Sequence, residues 1–393
     1  MDKWPERWKV FALSEICEVK DGTHDSPKFQ LSGFPLVTSK NLRNNNIDLS
    51  HVKFISQNDY DSINKRSKVE KGDILFAMIG TIGNPVLIKE EPRFAIKNIA
   101  LFKKSEHVIP DFLVYFLGSN RTLDRMISEA KGATQKFVGL GYLRKFSIPL
   151  PPLPEQKRIV SKLDALFERI DQSIALLEEN IKNTEALMAS ALDEVFTSTT
   201  RRVSISDLIE KTKNINPKQN PNQEFTYIDI TSINNKTHII EDPKFVKGED
   251  APSRARKGVE YGDILFATTR PNLRNIAVIN KSYNNPVAST GFCVLRVKKG
   301  INSDFVFNCL LSNEIQKQIT PFIRGAQYPA ISDKNLTSCK VPALEFKEQN
   351  AIAKKIKFLR EKAIELQKEQ QGKLNNLKAL KESILDKAFK GEL

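Results

Sequence analysis

The chain has 393 residues, of which 40% are hydrophobic and 27% charged, and a formal net charge of +14. That is the composition of an ordinary soluble protein, long enough for at least two domains with real cores. No apolar run reaches the roughly 18 residues of a membrane span, and the opening MDKWPERWK is too charged for a secretory signal, so no membrane partner and a cytoplasmic location are expected.

In chain order, alternation over Phe11-Ala12-Leu13-Ser14-Glu15-Ile16 predicts an extended opening, followed by a short extended stretch at Pro35-Leu36-Val37. GDILFA, residues 72–77, predicts a Gly-Asp turn feeding a buried strand, and residues 111–117 predict a short amphipathic helix. After the proline-rich run Pro149-Leu150-Pro151-Pro152-Leu153-Pro154, apolar residues recur every three or four positions from Leu163 to Val195, predicting a helix of about 40 residues and about 60 Å.

The series then repeats. Residues 203–208 alternate, residues 227–230 are extended, and GDILFA returns unchanged at 262–267. A shift of 193 residues places Asp304-Phe305 on Asp111-Phe112, Glu348-Gln349 on Glu155-Gln156 and Phe389 on Phe196. A second apolar stripe runs from Ile352 to Leu385, with Gln370 and Gly372 interrupting it. The chain is therefore a tandem pair of one large unit.

The expected segments are a first head at 1–153, a central helix at 154–200, a second head at 201–346 and a C-terminal helix at 347–393, with net charges of +6, −4, +7 and +5. Helices this long with one apolar stripe need a partner, and opposite charge suggests each other, antiparallel. The expected fold class is α+β: two mixed α/β heads joined by two long antiparallel helices with pseudo-two-fold internal symmetry. The basic heads suit phosphate-bearing partners.

Catalytic signals are weak. FAMIGTIG, residues 76–83, fits neither a dinucleotide nor a phosphate-loop spacing, and the second copy has FATTRPNL there. The four histidines have no metal-ligand spacing, so no metal is expected. Cys17, Cys293, Cys309 and Cys339 lack C-x-x-C spacing, and three of them fall opposite Ala100, Phe116 and Phe146, so they are expected in the core. Pro110-Asp111 with Glu129-Ala130-Lys131 fits the Pro-Asp…Glu-x-Lys pattern of metal-dependent nucleases. The second copy keeps Asp304 but carries Phe322-Ile323-Arg324, so helix-terminal acids are the favoured reading and no catalytic residue is assigned.

The segment GATQKFVGLGYLRKFSIPLPPLPEQKR, residues 132–158, resembles the junction between a target-recognition domain and the central helix of type I restriction-modification specificity subunits. Residues 21–27, GDILFAMIGTIGNP, and the second-half strings at 251–256 and 269–271 are also similar to that family. The C-terminal copy departs from it where the proline run becomes Pro342-Ala343-Leu344. The resemblance implies that each head reads one half of a bipartite double-stranded DNA site and that the helices set the gap between halves. It also implies two docked methylation subunits carrying S-adenosylmethionine, together with motor-nuclease restriction subunits. This chain would supply sequence choice, with no catalysis and no cofactor of its own.

Contacts are expected where polar and basic residues interrupt strand-like sequence. In the first head these are Thr23, His24, Ser39, Lys40, Asn41, Lys65, Arg66, Lys68, Lys131, Thr134, Gln135 and Lys136. In the second they are Ser232, Asn234, Lys236, Arg254, Arg256, Lys257, Arg270, Asn272, Arg274, Arg324 and Gln327. Arg66 and Arg256 stand out because a shift of 190 aligns them just upstream of the two GDILFA strings. Two rivals remain open: a stand-alone two-headed DNA-binding scaffold, and a self-sufficient nuclease.

Overall fold

The duplicated string is a strand with both faces buried, which is why it is apolar throughout rather than alternating. In the computed structural model, Ile74–Ala77 and Ile264–Ala267 are wholly buried strands. Ile74 and Phe76 enter one core while Leu75 and Ala77 enter another; Ile264 and Phe266 are likewise separated from Leu265 and Ala267. Each strand therefore divides its head into two apolar layers. The turn before it is fixed by Gly72 (φ +94°) and Gly262 (φ +91°), in the left-handed region that favours glycine. The aspartate that follows is buried. Asp73 pairs with Lys103 at 2.6 Å and accepts from Glu70 N at 2.8 Å; Asp263 takes a two-pronged contact from Arg296 at 2.9 and 2.8 Å.

The structure describes residues 4–5, 7–43, 45–129 and 137–393. The chain forms two compact units: Met1–Leu177 with Gly372–Leu393, and Glu178–Gln371. Both are built on one plan. In the first, a four-stranded antiparallel sheet runs in the order Val19–Asp21, Ile99–Phe102, Ile74–Ala77, Gly83–Leu87. In the second, the order is Ile209–Glu210, Phe292–Val297, Ile264–Ala267, Ile276–Val278. A second sheet in each head, three-stranded in the first and four-stranded in the second, contains one parallel pair, Phe34–Val37 with Ala95–Ile96 and Glu224–Ile228 with Pro286–Ser289.

The heads differ at that second sheet. The first has the helix Gln57–Ser67, whereas the second adds a strand, Ala255–Gly258. The alternating openings are also only half extended. Lys9–Ala12 and Arg202–Ser204 are strands, but Leu13–Ile16 and Ile205–Leu208 each make one helical turn. Apolar residues at i and i+3 (Leu13 and Ile16; Ile205 and Leu208) fit a turn of helix as well as alternation, and burial selects the helix.

The two long helices run Leu153–Thr197 and Phe346–Phe389. Gln370 and Gly372, which interrupt the second apolar stripe, leave the helix itself unbroken. Within the first unit the helix segments pair antiparallel: Arg158 meets Leu393 O at 2.7 Å and Asp171 meets Lys381 at 2.7 Å. Phe389 lies edge-on to Phe112 and Phe116, with ring centroids 5.4 Å from each. Within the second unit, Leu192, Val195 and Phe196 share a core with Ala353 and Ile356, and Glu194 meets Lys355 at 3.6 Å. Such exposed ion pairs contribute only about 0–1 kcal/mol each. The apolar stripe makes the pairing.

One glutamine per unit joins helix to head. Gln156 Oε1 accepts from Ile109 N at 2.8 Å, while Nε2 donates to Pro151 O at 2.9 Å and His107 O at 3.3 Å. Gln349 repeats this with Asn302 N at 2.8 Å and Leu344 O at 2.9 Å. Both are buried. Gln156→Ala leaves buried backbone groups unpaired, which costs about 1–3 kcal/mol. A lowered thermal midpoint is expected for Gln156→Ala and again for Gln349→Ala; midpoints within a degree of wild type for both would refute the clamp.

Candidate nucleic-acid interface

A polar turn follows an internal strand of the second sheet in each head. Ser39–Asn41 is held by Asn41 Oδ1, which accepts from Thr38 N and Thr38 Oγ1 at 2.9 Å each, while Asn41 Nδ2 donates to Asp48 O at 2.9 Å. Ile230–Ser232 is held by Asp229 Oδ1, which accepts from Thr231 N at 3.0 Å and Ser232 N at 3.2 Å, while Ser232 Oγ accepts from Asp229 N at 3.2 Å. Asn41 and Ser232 are buried, so the expectation that their side chains face a ligand is corrected: the turns themselves use their polar atoms. What remains exposed on the two turns is Lys40 and Thr231.

In the first head the turn forms one wall of a cleft of about 470 Å³, lined by Thr38, Ser39, Lys40, His51, Lys53, Lys97 and Asn98, with Gly80 and Thr81 on another side. Lys53 Nζ lies 4.2 Å from the centroid of the Phe29 ring, and no carboxylate pairs with it among the described residues. Ser39 Oγ donates to Asn98 O at 3.3 Å. His24 Nδ1 meets Asn98 Oδ1 at 2.8 Å, and its Nε2 meets Asp21 Oδ2 at 2.8 Å. Thr23 bridges in parallel to Lys97, whose ammonium donates to Asp25 O at 2.8 Å and Ser26 Oγ at 2.6 Å. Thr23, His24, Ser39 and Lys40, distant in sequence, thus come together.

Arg66 reaches the same group, because its partner Asp21 also holds His24; the others are elsewhere. Arg66, at the end of the helix Gln57–Ser67, donates to the buried Asp21 at 2.6 Å; Lys65 is exposed nearby, and Lys68 pairs with Glu70 at 3.1 Å. Lys103 and Lys68 hold the Glu70 carboxyl down at about 2. Lys131, Thr134, Gln135 and Lys136 lie outside the described residues.

In the second head, Asn234 Oδ1 accepts from Lys236 N at 2.9 Å and Thr237 N at 3.2 Å, shaping a hairpin tip on which Lys236 is exposed. Arg256 lines a cleft of about 520 Å³ with Asn214, Asn216, Gln219 and Asn220, and its guanidinium donates only to Ala255 O, at 3.0 Å, among the described residues. Arg254 is exposed on the preceding turn, and Lys257 pairs with Asp333 at 2.9 Å. Arg324 donates to Pro321 O at 2.8 Å and Ile323 O at 3.0 Å, and Gln327 is exposed in the loop that Arg324 and Ala330 close.

Arg270 and Arg274 flank the short turn Pro271–Leu273, which exposes Asn272, and both are in the left-handed region at φ +50° and +53°. That conformation costs an ordinary residue about 1–2 kcal/mol. Arg274 turns inward, donating to Leu311 O at 3.2 Å and Asn313 Oδ1 at 2.6 Å, and burial pushes its pKa down. The expectation that it faces a ligand is corrected on that ground. Arg270 points out, its guanidinium 5.4 Å from the Tyr328 ring centroid.

The pairing of Arg66 with Arg256 is likewise corrected. One ends a helix and the other lies in a strand, so the shared offset from GDILFA is numerical only. Sequence reasoning missed His51, Lys53, Lys97 and Asn98. A signal for Lys53 existed: Lys53-Phe54-Ile55 recurs as Lys244-Phe245-Val246. Lys244, however, pairs with Asp229, where the first head has neutral Thr38.

Asp111 and Asp304 are first-turn acids of the helices Pro110–Gly118 and Ser303–Leu311. Glu129 accepts from Tyr142 Oη at 2.7 Å and Arg125 at 3.3 Å. Among the described residues no group of three His, Cys, Asp or Glu could hold a metal ion. All four cysteines are buried and free, and burial pushes the Cys17 and Cys293 thiols up to about 12.

A duplicated α/β head with a donor-rich rim and a long helix following each copy defines a class of two-part recognition proteins. The type I restriction modification DNA specificity domain matches residues 5–183 and again 189–376, and the chain belongs to that family. It is 22% identical to the type I restriction enzyme StySPI specificity subunit of Salmonella potsdam, over 100% of this chain and 90% of that protein. It is 23% identical to the MjaVIII specificity subunit of Methanocaldococcus jannaschii, over 95% of this chain and 91% of that one. A solved chain from work on complex assembly and conformational transition of the type I R-M system superposes with a TM-score of 0.78 at 22% identity, covering 100% of both chains, and so shares the fold.

The hairpin that carries Lys236 rests on His238, a half-buried residue with φ +58°. Its ring sits edge-on to Phe307, centroids 6.1 Å apart, and Arg360 lies over the same Phe307 ring at 5.1 Å. Burial, then the Arg360 charge, lowers the histidine pKa from 6.5 to about 4. The unfolded chain binds this proton below pH 6.5 and the folded chain only near 4, so stability present above 6.5 is lost as pH falls through that window. The expected loss is a few kcal/mol. In His238→Asn, which tolerates the left-handed backbone, the slope of unfolding free energy between pH 6.5 and 4 should flatten; an unchanged slope would show that His238 is not its source.

Proposed function

We propose that this chain is the DNA-recognition subunit of a type I restriction-modification assembly, each head reading one part of a bipartite double-stranded target. The observation that carries this is the presence, in two copies of one specificity domain, of basic and amide side chains in clefts or open to solvent: Lys40, Lys53 and His51 in the first, Arg256, Arg270 and Gln327 in the second. Lysines suit phosphates, whereas arginine and the amides can make paired hydrogen bonds to base edges. The rims differ in side chains and in local fold, so the two halves of the target differ and the site is asymmetric.

In this reading the long helices set the gap between halves and dock two methylation subunits, which carry S-adenosylmethionine. Motor-nuclease subunits join to cut unmodified DNA in the cytoplasm. This chain binds no cofactor and performs no bond chemistry.

Mapping methylated adenines genome-wide, in hosts with and without this chain beside its methylation subunit, tests the proposal. A gapped, two-part motif that disappears with the chain is expected; methylation independent of the chain would refute it and favour a binding scaffold without methylation partners. Lys53→Ala should weaken DNA binding to all sequences alike and reduce the salt slope by about 1. An unchanged slope would remove Lys53 from the phosphate contacts.

A further inference from the structure

The two heads can be aligned through one loop, and one of the differences there is telling. Met78 O accepts from Val138 N at 3.0 Å, and Thr268 O accepts from Ile331 N at 3.0 Å. The next residues form matching bridges, Ile79 with Phe137 and Thr269 with Ala330. The residue after that is Gly80, with φ +76°, in the first head and Arg270, with φ +50°, in the second. The backbone bends the same way in both, but only one copy has the residue suited to it.

An arginine held in a glycine conformation implies that its side chain is needed for something. Arg274, equally left-handed, has an internal reason, because Leu311 and Asn313 take its guanidinium. Arg270 has none. Its backbone N donates to Pro329 O at 2.6 Å, a bond glycine would keep, and among the described residues no hydrogen bond or ion pair holds its guanidinium. What it has is the face of Tyr328, itself 66% exposed, 5.4 Å from the guanidinium carbon, a cation–ring contact that leaves the donor fork open to solvent. Gly80 lines the first head's cleft, so Arg270 stands at the corresponding wall of the second.

We propose that Arg270, seated over Tyr328, is a specificity-determining residue of the second head and reads a guanine by paired hydrogen bonds to O6 and N7. The proposal rests on the DNA-recognition reading above. It also accounts for the asymmetry: the glycine of the first head leaves its cleft open, and the arginine of the second fills the same position with a base-reading group.

The test combines methylation mapping and thermal melting on the intact assembly carrying wild-type, Arg270→Gly or Arg270→Lys chain. Arg270→Gly, which copies the first head, should melt at or above the wild-type temperature. One guanine in one half of the methylated motif should relax by about tenfold or more, with the other half unchanged. Arg270→Lys should relax the same position, because an ammonium has no fork. A motif unaltered in Arg270→Gly overturns the base-reading role, and uniformly weaker methylation of that unaltered motif marks a phosphate contact; a guanine retained by Lys but lost with Gly overturns the paired hydrogen bonds in favour of a single ammonium contact to the same base. A lowered melting temperature with an intact motif overturns it in favour of a structural role. If wild type itself yields no chain-dependent two-part motif, the DNA-recognition reading fails, and this proposal with it.

Discussion

The rest of each unit depends on how a rigid helix of more than forty residues is anchored to a small head, and a buried amide makes that joint. Gln156 and Gln349 each take one backbone donor from the loop ahead of a short helix and give to a carbonyl at the end of the head's last strand. A buried amide with both ends occupied is unforgiving, because each lost partner is a desolvated polar group. The geometry also explains why the proline-rich run can decay in the second copy. The acceptor is a main-chain oxygen, supplied by Pro151 in one case and Leu344 in the other, so the side chain at that position is free to change while the glutamine is not.

A second constraint lies at the centre of each head. A strand with a core on either side cannot slip in register or accept a polar residue without disturbing both layers. Its leading aspartate is buried beside a cation, Lys103 in one head and Arg296 in the other, and removing that cation would leave an uncompensated buried charge. GDILFA is therefore duplicated without change, whereas the cation that answers it varies between lysine and arginine.

These constraints mark what a reader of the sequence can and cannot see. The tandem repeat, the α+β heads and the long helices are legible because burial on a fixed face writes itself into apolar spacing. The interface is less so, for three reasons. Polar residues in a turn read alike whether they face outward, as Lys40 does, or close the turn, as Asn41 and Ser232 do. Residues such as Thr23 and Lys97 meet through a parallel bridge between segments more than seventy positions apart, which no local pattern records. And the offset from GDILFA gave Arg66 and Arg256 a false equivalence, because one head builds a helix where the other builds a strand.

Divergence between the heads is accordingly not spread evenly. Positions that satisfy buried groups keep their chemistry: glutamine for glutamine, aspartate for aspartate, and a reciprocal side-chain turn made by Thr38 and Asn41 in one copy and by Asp229 and Ser232 in the other. Positions on the rim change freely, even where the backbone does not. Substituting Asp229 for Thr38 ties up Lys244, while its counterpart Lys53 has no carboxylate partner among the described residues; substituting Arg270 for Gly80 puts a fork of donors where there was open space. A scaffold whose interior admits few solutions and whose rim admits many can carry two different recognition surfaces on one duplicated fold. The cost of changing what a head recognises then falls on solvent-exposed side chains, where substitutions away from caps and buried networks usually cost less than about 0.5 kcal/mol.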